Sequence, residues 1–220
     1  MGRNITRIHV VDVEATCWAG GEAPESQVDR TRPNEIIEIG IARVVIGTNS
    51  GIPLETPVLD LVKQYYVRPK WYPILSDYCK DLTGISQETV DAASSYPDVL
   101  NQMRSELGKD ALNDNPWCSW GDYDRIMFDH MRDVIWDDPK SSLDHPRHRL
   151  MSVWGQQHIN LKTLHAIFSG NRKGVGLSGG LHSIGEKFEG TPHSGRDDAF
   201  NTAKILMWIL ENAKSFSWKK

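Results

Sequence analysis

The sequence has no run approaching the ~20 consecutive apolar residues that a membrane span needs, so a transmembrane protein is not expected. Cysteine is scarce: Cys17, Cys79 and Cys118 form an odd set with no close pair. That is a poor disulfide framework and a poor zinc site, and reduced thiols in a cytoplasmic protein are the simplest reading. Met1 to Arg7 lacks the apolar run of a secretory signal, so an exported precursor is not expected either. An excess of positive charge is also missing: 25 Lys and Arg stand against 29 Asp and Glu, a formal net charge of −4. This argues against coating a polyanion by charge alone. It leaves open the handling of a polyanion through bound cations, and two divalent ions would bring the formal charge to zero. No phosphate-cradling glycine loop of the P-loop kind occurs, nor any internal repeat.

What is present suits one folded domain. At 220 residues, 39% apolar and 25% charged, the chain can bury a sizeable core but is short for two. Residues 1–220 are read as a single domain with its core over about 6–213. Thr6 to Ala15 and Glu35 to Ile46 read as strands covered on both faces, and Leu61 to Val67 as a third. Asn49 to Pro57 reads as a turn. Connections this short predict antiparallel pairing of the three. The apolar period then becomes helical. Tyr96, Leu100, Met103 and Leu107 share one face of Ser95 to Leu107, with Pro97 suited to its first turn. Met127, Met131, Val134 and Ile135 stripe Asp122 to Trp136. Further helices are expected over Leu161 to Phe168, around Leu181, Ile184 and Phe188, and from Asp197 to Ala213. Asn115 to Trp120 reads as a fourth strand, and Leu150 to Trp154 as a fifth. The fold class is therefore α/β: a mixed five-stranded sheet, its first three strands antiparallel, flanked by helices.

Asp12 and Glu14 end the first strand. Residues two apart in a strand point to one side, roughly 6.5–7 Å apart. Two like charges in an apolar element either reach water at the strand's end or share a cation. In the second group, Trp120-Gly-Asp122-Tyr-Asp124, a strand runs through a glycine turn into a helix. Asp122 suits the N-cap, and Asp124 suits either the helix dipole or the strand ends. The third group is His193-Ser-Gly-Arg-Asp197-Asp198, where acids at a helix start are common for capping reasons alone. The sheet can bring these three distant groups together. Carboxylates converging in one cleft repel unless hard cations are bound, and oxygen ligands select Mg²⁺ or Mn²⁺ over zinc. Two such ions can clamp an in-line phosphoryl displacement, with a rim histidine taking a proton from the attacking water.

On these residues the chain resembles the DEDDh exonucleases, the DnaQ-like group of 3'-to-5' exonucleases on the ribonuclease H-like fold. Asp12 and Glu14 match the family's Asp-x-Glu, Asp124 its Asp opening a helix, and His193 with Asp198 its His-x4-Asp. Longer segments resemble the enhanced-RNA-interference type of 3'-exonuclease. These are Asp12-Val-Glu-Ala-Thr-Cys-Trp18, Asn34-Glu-Ile-Ile-Glu-Ile-Gly40, Leu75-Ser-Asp-Tyr-Cys-Lys-Asp-Leu-Thr-Gly-Ile-Ser-Gln87, Ile159-Asn-Leu-Lys162 and Pro192 to Asp198. The basic stretch Asn171 to Gly174 and the glycine-rich segment up to Gly180 depart from it, and no room is expected for a further nucleic-acid-binding domain. The resemblance implies two divalent cations, Mg²⁺ or Mn²⁺, held by Asp12, Glu14, Asp124 and Asp198, with His193 as general base and nucleoside 5'-monophosphates as products. It implies a nucleic-acid partner, RNA before single-stranded DNA, and no membrane. Backbone groups of Ala15 and Thr16 are implied to hold the terminal nucleotide. Trp18, Trp120 and Tyr123 are candidates to stack on a base, Tyr123 first because it adjoins Asp124. A non-catalytic binding module is the alternative from another class, and the intact five-residue set speaks against it. His145, His148, His158, His165 and His182 form no helix-spaced pair with supporting acids and read as surface or packing residues. The lysine-bearing tail, Lys214 to Lys220, reads as a solvated end.

Overall fold

The computed structural model describes residues 7–21, 34–46, 48–49, 52–53, 56–108, 116–136, 154, 157–170 and 173–213. β1 (Arg7–Ala15) and β2 (Ile36–Val45) are the Val- and Ile-rich segments that suit a pleated surface covered on both faces. A hairpin of β3 (Thr48–Asn49) and β4 (Ile52–Pro53) overlaps the expected turn region, starting one residue before it, and β5 (Val58–Arg68) follows. β5 starts three residues before the Leu61 expected from apolar content. β1 pairs antiparallel with β2, and β2 antiparallel with β5, as the short connections require.

Helices α1 (Asp77–Thr83) and α2 (Gln87–Ala92) follow, capped by local chemistry. The Ser76 and Ser86 hydroxyls accept from the third amide along, and Gly84 ends α1 in the left-handed region at φ 70°. Next come β6 (Ser94–Ser95), α3 (Tyr96–Leu107), β7 (Trp117–Ser119) and α4 (Tyr123–Trp136). The chain closes with β8 (His158–Asn160), α5 (Leu161–Phe168), α6 (Leu177–Ser183) and α7 (Gly195–Ala213).

The main sheet has six strands in the order β6-β5-β2-β1-β7-β8, one more than the five expected. β7 and β8 run parallel to β1, and β6 parallel to β5. Two- and three-residue strands carry no readable period, so β6 and β8 were invisible in the sequence. The last strand is His158–Asn160, and Trp154, in the segment expected to supply it, is a bend. The rest of that segment lies outside the described residues, as do Thr6, the side chains of Val134 and Ile135, His145, His148, Asn171, Arg172 and the tail from 214. α6 ends before Ile184, so that residue and Phe188 lie in the following loop. α7 begins at Gly195, two residues before the expected Asp197.

Strand alternation sorts the side chains. Ile8 and Val10 of β1, with Ala42 and Val44 of β2, bury against Ala199, Ala203 and Leu206 of α7. Val11 and Val13, with Ile39 and Ile41, bury against Leu100 and Met103 of α3 and Met127 and Met131 of α4. Truncating a buried leucine such as Leu100 to alanine costs about 2–5 kcal/mol. By the same period Asp12 and Glu14 share the α7 face with Val10. Among the described residues no helix is long and apolar enough to cross a membrane, and the three cysteines are free.

Candidate active site

Two glycines set the approach of α7 to the sheet. A Cβ on Gly40 of β2 would lie 1.9 Å from the Gly195 carbonyl oxygen, and one on Gly195 would lie 3.1 Å from the Asp12 carbonyl oxygen. The helix start therefore rests directly on backbone, beside Asp12. Glu38, on the same face of β2 as Gly40, fastens it there. This buried carboxylate accepts from the Arg196 amide at 3.0 Å and from Gln64 Nε2 at 2.8 Å. The strand next to β1 thus supplies the acceptor that a helix N-terminus attracts. Glu38 was not identified as functional from the sequence, where it read only as part of a resembling segment.

The loop before α7 folds back on the helix's own acids. The Thr191 amide donates to Asp197 Oδ2 at 2.9 Å, and the His193 amide donates to Asp198 Oδ2 at 3.0 Å. His193 has φ 63°, a left-handed conformation that a non-glycine residue adopts only when its surroundings enforce it. Asp197 thereby holds the Thr191 amide and Arg196 Nη1, while Asp198 lines the cleft. A similar division separates the other pair. Asp122 accepts from Asn160 Nδ2 at 2.8 Å, whereas Asp124, 4% exposed, accepts from the Val13 amide at 2.9 Å. That bond ties the first turn of α4 to β1, between Asp12 and Glu14.

The result is a cleft of about 380 Å³ lined by Asp12, Glu14, Asp124, His193 and Asp198 together with Trp120, Tyr123, Leu177 and Phe188. Ligand atoms of Glu14, His193 and Asp198 lie within 4.8 Å of one another. At an effective dielectric of ~20, two unit charges that close repel by at least ~3 kcal/mol. The carboxyls respond accordingly. Burial, then Asp124, Asp198, Glu14 and Glu38, hold the Asp12 carboxyl well above the usual range. Burial, then Asp198 and Glu38, push Glu14 up to about 9. Asp124 and Asp198 are each raised to about 6, burial being the main cause. The Val13 amide opposes it at Asp124 and the His193 amide at Asp198. The donor set is carboxylate-rich and open to the cleft, which fits hard divalent cations; neutralising that charge is what such ions would do.

The nucleotide contacts expected from the sequence divide. Tyr123 is 52% exposed and lines the cleft. Trp120 also lines it, with its Nε1 donating to the Val175 carbonyl at 3.1 Å. Trp18 is buried, edge-on to Tyr72 at 4.8 Å, and serves packing rather than stacking. Ala15 and Thr16 are not part of the cleft lining. The Thr16 amide donates to the Glu35 carbonyl at 2.8 Å, and the Ala15 carbonyl accepts from the Cys79 thiol. The β1–β2 register shifts at this point, with Glu14 opposite Glu38 and Ala15 opposite Ile36.

The model of the exonuclease family matches residues 9–206. The chain is 32% identical over 219 residues to the ERI1 exoribonuclease 2 of Homo sapiens, across 91% of this chain and 28% of that protein. To the 3'-5' exoribonuclease 1 of Mus musculus it is 31% identical over 214 residues, across 93% and 53%. The chain thus spans from about a quarter to about half the length of these curated relatives. Its fold is that of the nuclease domain of 3'hExo, a DEDDh family member solved bound to rAMP, with a TM-score of 0.72 at 23% identity over 98% of this chain and 97% of that one. A 3'-exonuclease solved in 3'-end specific recognition of histone mRNA stem-loop gives 0.70 at 25% identity, over 96% and 84%. Taken with the six-stranded mixed sheet and its flanking helices, the match over residues 9–206 shows that the chain belongs to the exonuclease family, on its ribonuclease H-like fold.

Proposed function

We propose that this chain is a metal-dependent 3'-to-5' exonuclease that shortens RNA from its 3' end and releases nucleoside 5'-monophosphates. One observation carries the reading: four carboxylates and a histidine, drawn from β1, α4 and the start of α7, converge on a single cleft. The choice of RNA is supported by relatives named exoribonucleases. The activity is assigned to one domain over about residues 6–213.

Asp12, Glu14, Asp124 and Asp198 would hold two divalent cations, Mg²⁺ or Mn²⁺. When bound, such ions offset the charge of the carboxylates and of the phosphodiester and steady the attacking and leaving oxygens. On loading, these carboxyls would give up their protons, and the cleft that they share would receive the 3' end. His193 stands at the exposed rim, its main chain pinned by Asp198. Its imidazole would take the proton of the attacking water as general base from the rim of the cleft that it lines. Tyr123, Trp120, Leu177 and Phe188 form the apolar wall on which the terminal base rests.

The test uses 3'-labelled RNA and DNA oligomers with Mg²⁺, Mn²⁺ or EDTA. Stepwise shortening of RNA that needs metal, and is faster than that of DNA, is expected. Binding without shortening under every condition would overturn the reading in favour of a non-catalytic module.

A further inference from the structure

Helix α6 is built against propensity. It carries Gly179 and Gly180 in succession, and glycine inside a helix is destabilising unless packing asks for it. This is the end of the glycine-rich segment that departs from the family resemblance. For Gly180 the reason is Trp120. A Cβ at Gly180 would lie 2.7 Å from Trp120 Cη2, 2.8 Å from its Cζ2 and 3.0 Å from Ile205 Cδ1. Further along the same edge of the indole, Nε1 donates to the Val175 carbonyl at 3.1 Å. The long edge from Nε1 through Cζ2 to Cη2 is therefore laid against Val175 and Gly180. The ring hangs from the segment whose Gly176, Leu177 and Ser178 line the cleft, and Trp120 lines the cleft beside them.

Which partner gives way to added volume is decided behind the contact. The Ser183 hydroxyl donates to the Gly180 carbonyl at 2.7 Å. Its one proton is then spent, so His165 Nε2, at 2.8 Å, is the donor to the serine oxygen. Buried His165 on α5 thus pins the middle of α6, and its own ring stands 5.6 Å from the indole. Ile205 of α7 closes another side of the Gly180 site. A packed interior of this kind does not yield cheaply. Trp120, by contrast, precedes Gly121 (φ 123°) in the turn between β7 and α4 and borders an open cleft of about 380 Å³. A methyl group at position 180 is therefore passed to the indole, and through it into the cleft. Ordinary contact begins near 3.4 Å, so the ring edge must move by about 0.7 Å, the difference from 2.7 Å.

We propose that Trp120 and Gly180 are a matched pair that determines which terminal base the cleft admits: with glycine at 180 the indole lies back and leaves room for a purine. This rests on the reading of the cleft as the seat of the 3'-terminal nucleotide. Calorimetric affinity for adenosine and cytidine 5'-monophosphates in Mn²⁺, with KM and kcat on RNA ending in adenosine or cytidine, tests it in wild type, Gly180→Ala, Trp120→Phe and the double variant. One methyl group too many in a filled pocket discriminates by about tenfold or more. Gly180→Ala should therefore weaken the adenosine ligand and raise KM for adenosine-ended RNA by about tenfold, while the cytidine values move by less than about twofold. The change should fall on KM rather than kcat. Trp120→Phe removes the ring atoms that the methyl group meets. It should weaken both ligands alike through lost stacking area, and in its background Gly180→Ala should cost less than about twofold. Equal losses on both ligands in Gly180→Ala, no loss on either, or a tenfold loss that persists in the Trp120→Phe background would overturn the proposal. If Gly180→Ala alone does not fold, the double variant decides: folding with the adenosine affinity of Trp120→Phe supports the proposal, and failure to fold or a tenfold weaker affinity overturns it. If wild type binds the monophosphates and the variants shift them as expected, the proposal stands even where RNA is left intact, and only the nuclease reading fails. A wild type that shortens RNA while the variants leave the purine-to-pyrimidine ratio unmoved overturns this proposal alone. A wild type that binds neither monophosphate nor RNA overturns both.

Discussion

Gly40→Ala places a methyl group where α7 meets the sheet. The new Cβ would stand 1.9 Å from the Gly195 oxygen, 2.0 Å from its carbonyl carbon and 2.3 Å from the Arg196 nitrogen, against an ordinary contact that begins near 3.4 Å. All three atoms are backbone, so no rotamer change can relieve the clash. The start of α7 must retreat by about 1.5 Å, the difference between ordinary contact and the clash. Asp198 and the pinned His193 travel with it, away from Asp12 and Glu14. A misplacement of about 1 Å in a catalytic constellation costs about a hundredfold in rate, so kcat on 3'-labelled RNA should fall at least that far. Overpacking should cost about 1–3 kcal/mol, which for a chain of this size lowers Tm by about 2–12 °C. Gly195→Ala is the graded control. Its Cβ would meet the Asp12 oxygen at 3.1 Å, the Gly40 nitrogen at 3.2 Å and Glu38 Oε1 at 3.3 Å. A few tenths of an ångström relieve those contacts, so its losses should be much smaller. Wild-type kcat and Tm in Gly40→Ala, or a Gly195→Ala variant that is the worse of the two, would refute the reasoning.

Three further outcomes are expected. With Asp124 and Asp198 titrating near about 6 and Glu14 near about 9, against ordinary values of 3.8 and 4.5, the folded chain without metal holds more protons than the unfolded one. Its stability should therefore be greatest in acid and fall as pH rises from about 5 through 9. Thermal melts in EDTA measure this, and Mn²⁺ should raise Tm more at pH 8 than at pH 5; a flat profile would count against the shared cleft. His193→Ala should lose turnover by about 10²-fold or more while keeping Mn²⁺ affinity within a few-fold, whereas Asp12→Asn should lose both and raise Tm in EDTA. Calorimetry paired with kinetics separates them, and a His193→Ala variant that cannot bind Mn²⁺ would make that residue a ligand instead. Glu38→Ala removes the acceptor of the Arg196 amide and leaves Gln64 Nε2 with Tyr66 Oη alone, and should cost about 1–3 kcal/mol, with Glu38→Gln milder, as judged by urea unfolding.

The acid pairs at Asp12 and Glu14, Asp122 and Asp124, and Asp197 and Asp198 were legible because each sits where a strand ends or a helix starts, and those boundaries follow from local periodicity and capping. So were the long strands and the helices bearing Leu100 and Met127, whose apolar period repeats over several turns. The choice within the acid pairs came from resemblance. In three dimensions Asp124 and Asp198 line the cleft, whereas Asp122 and Asp197 do not and hold Asn160 and the Thr191 amide instead. Burial decided Trp18, through its contact with Tyr72 far along the chain. Strands of two or three residues, β6 and β8, depend wholly on their neighbours for pairing. The sequence by itself determined which chemistry the chain can carry, because residue type and local spacing set charge and element. Only the tertiary structure decided which charges meet, through Gly40 under Gly195 and Glu38 at the head of α7, because close approach and long-range hydrogen bonding are properties of packed pairs and leave no periodic trace along a chain.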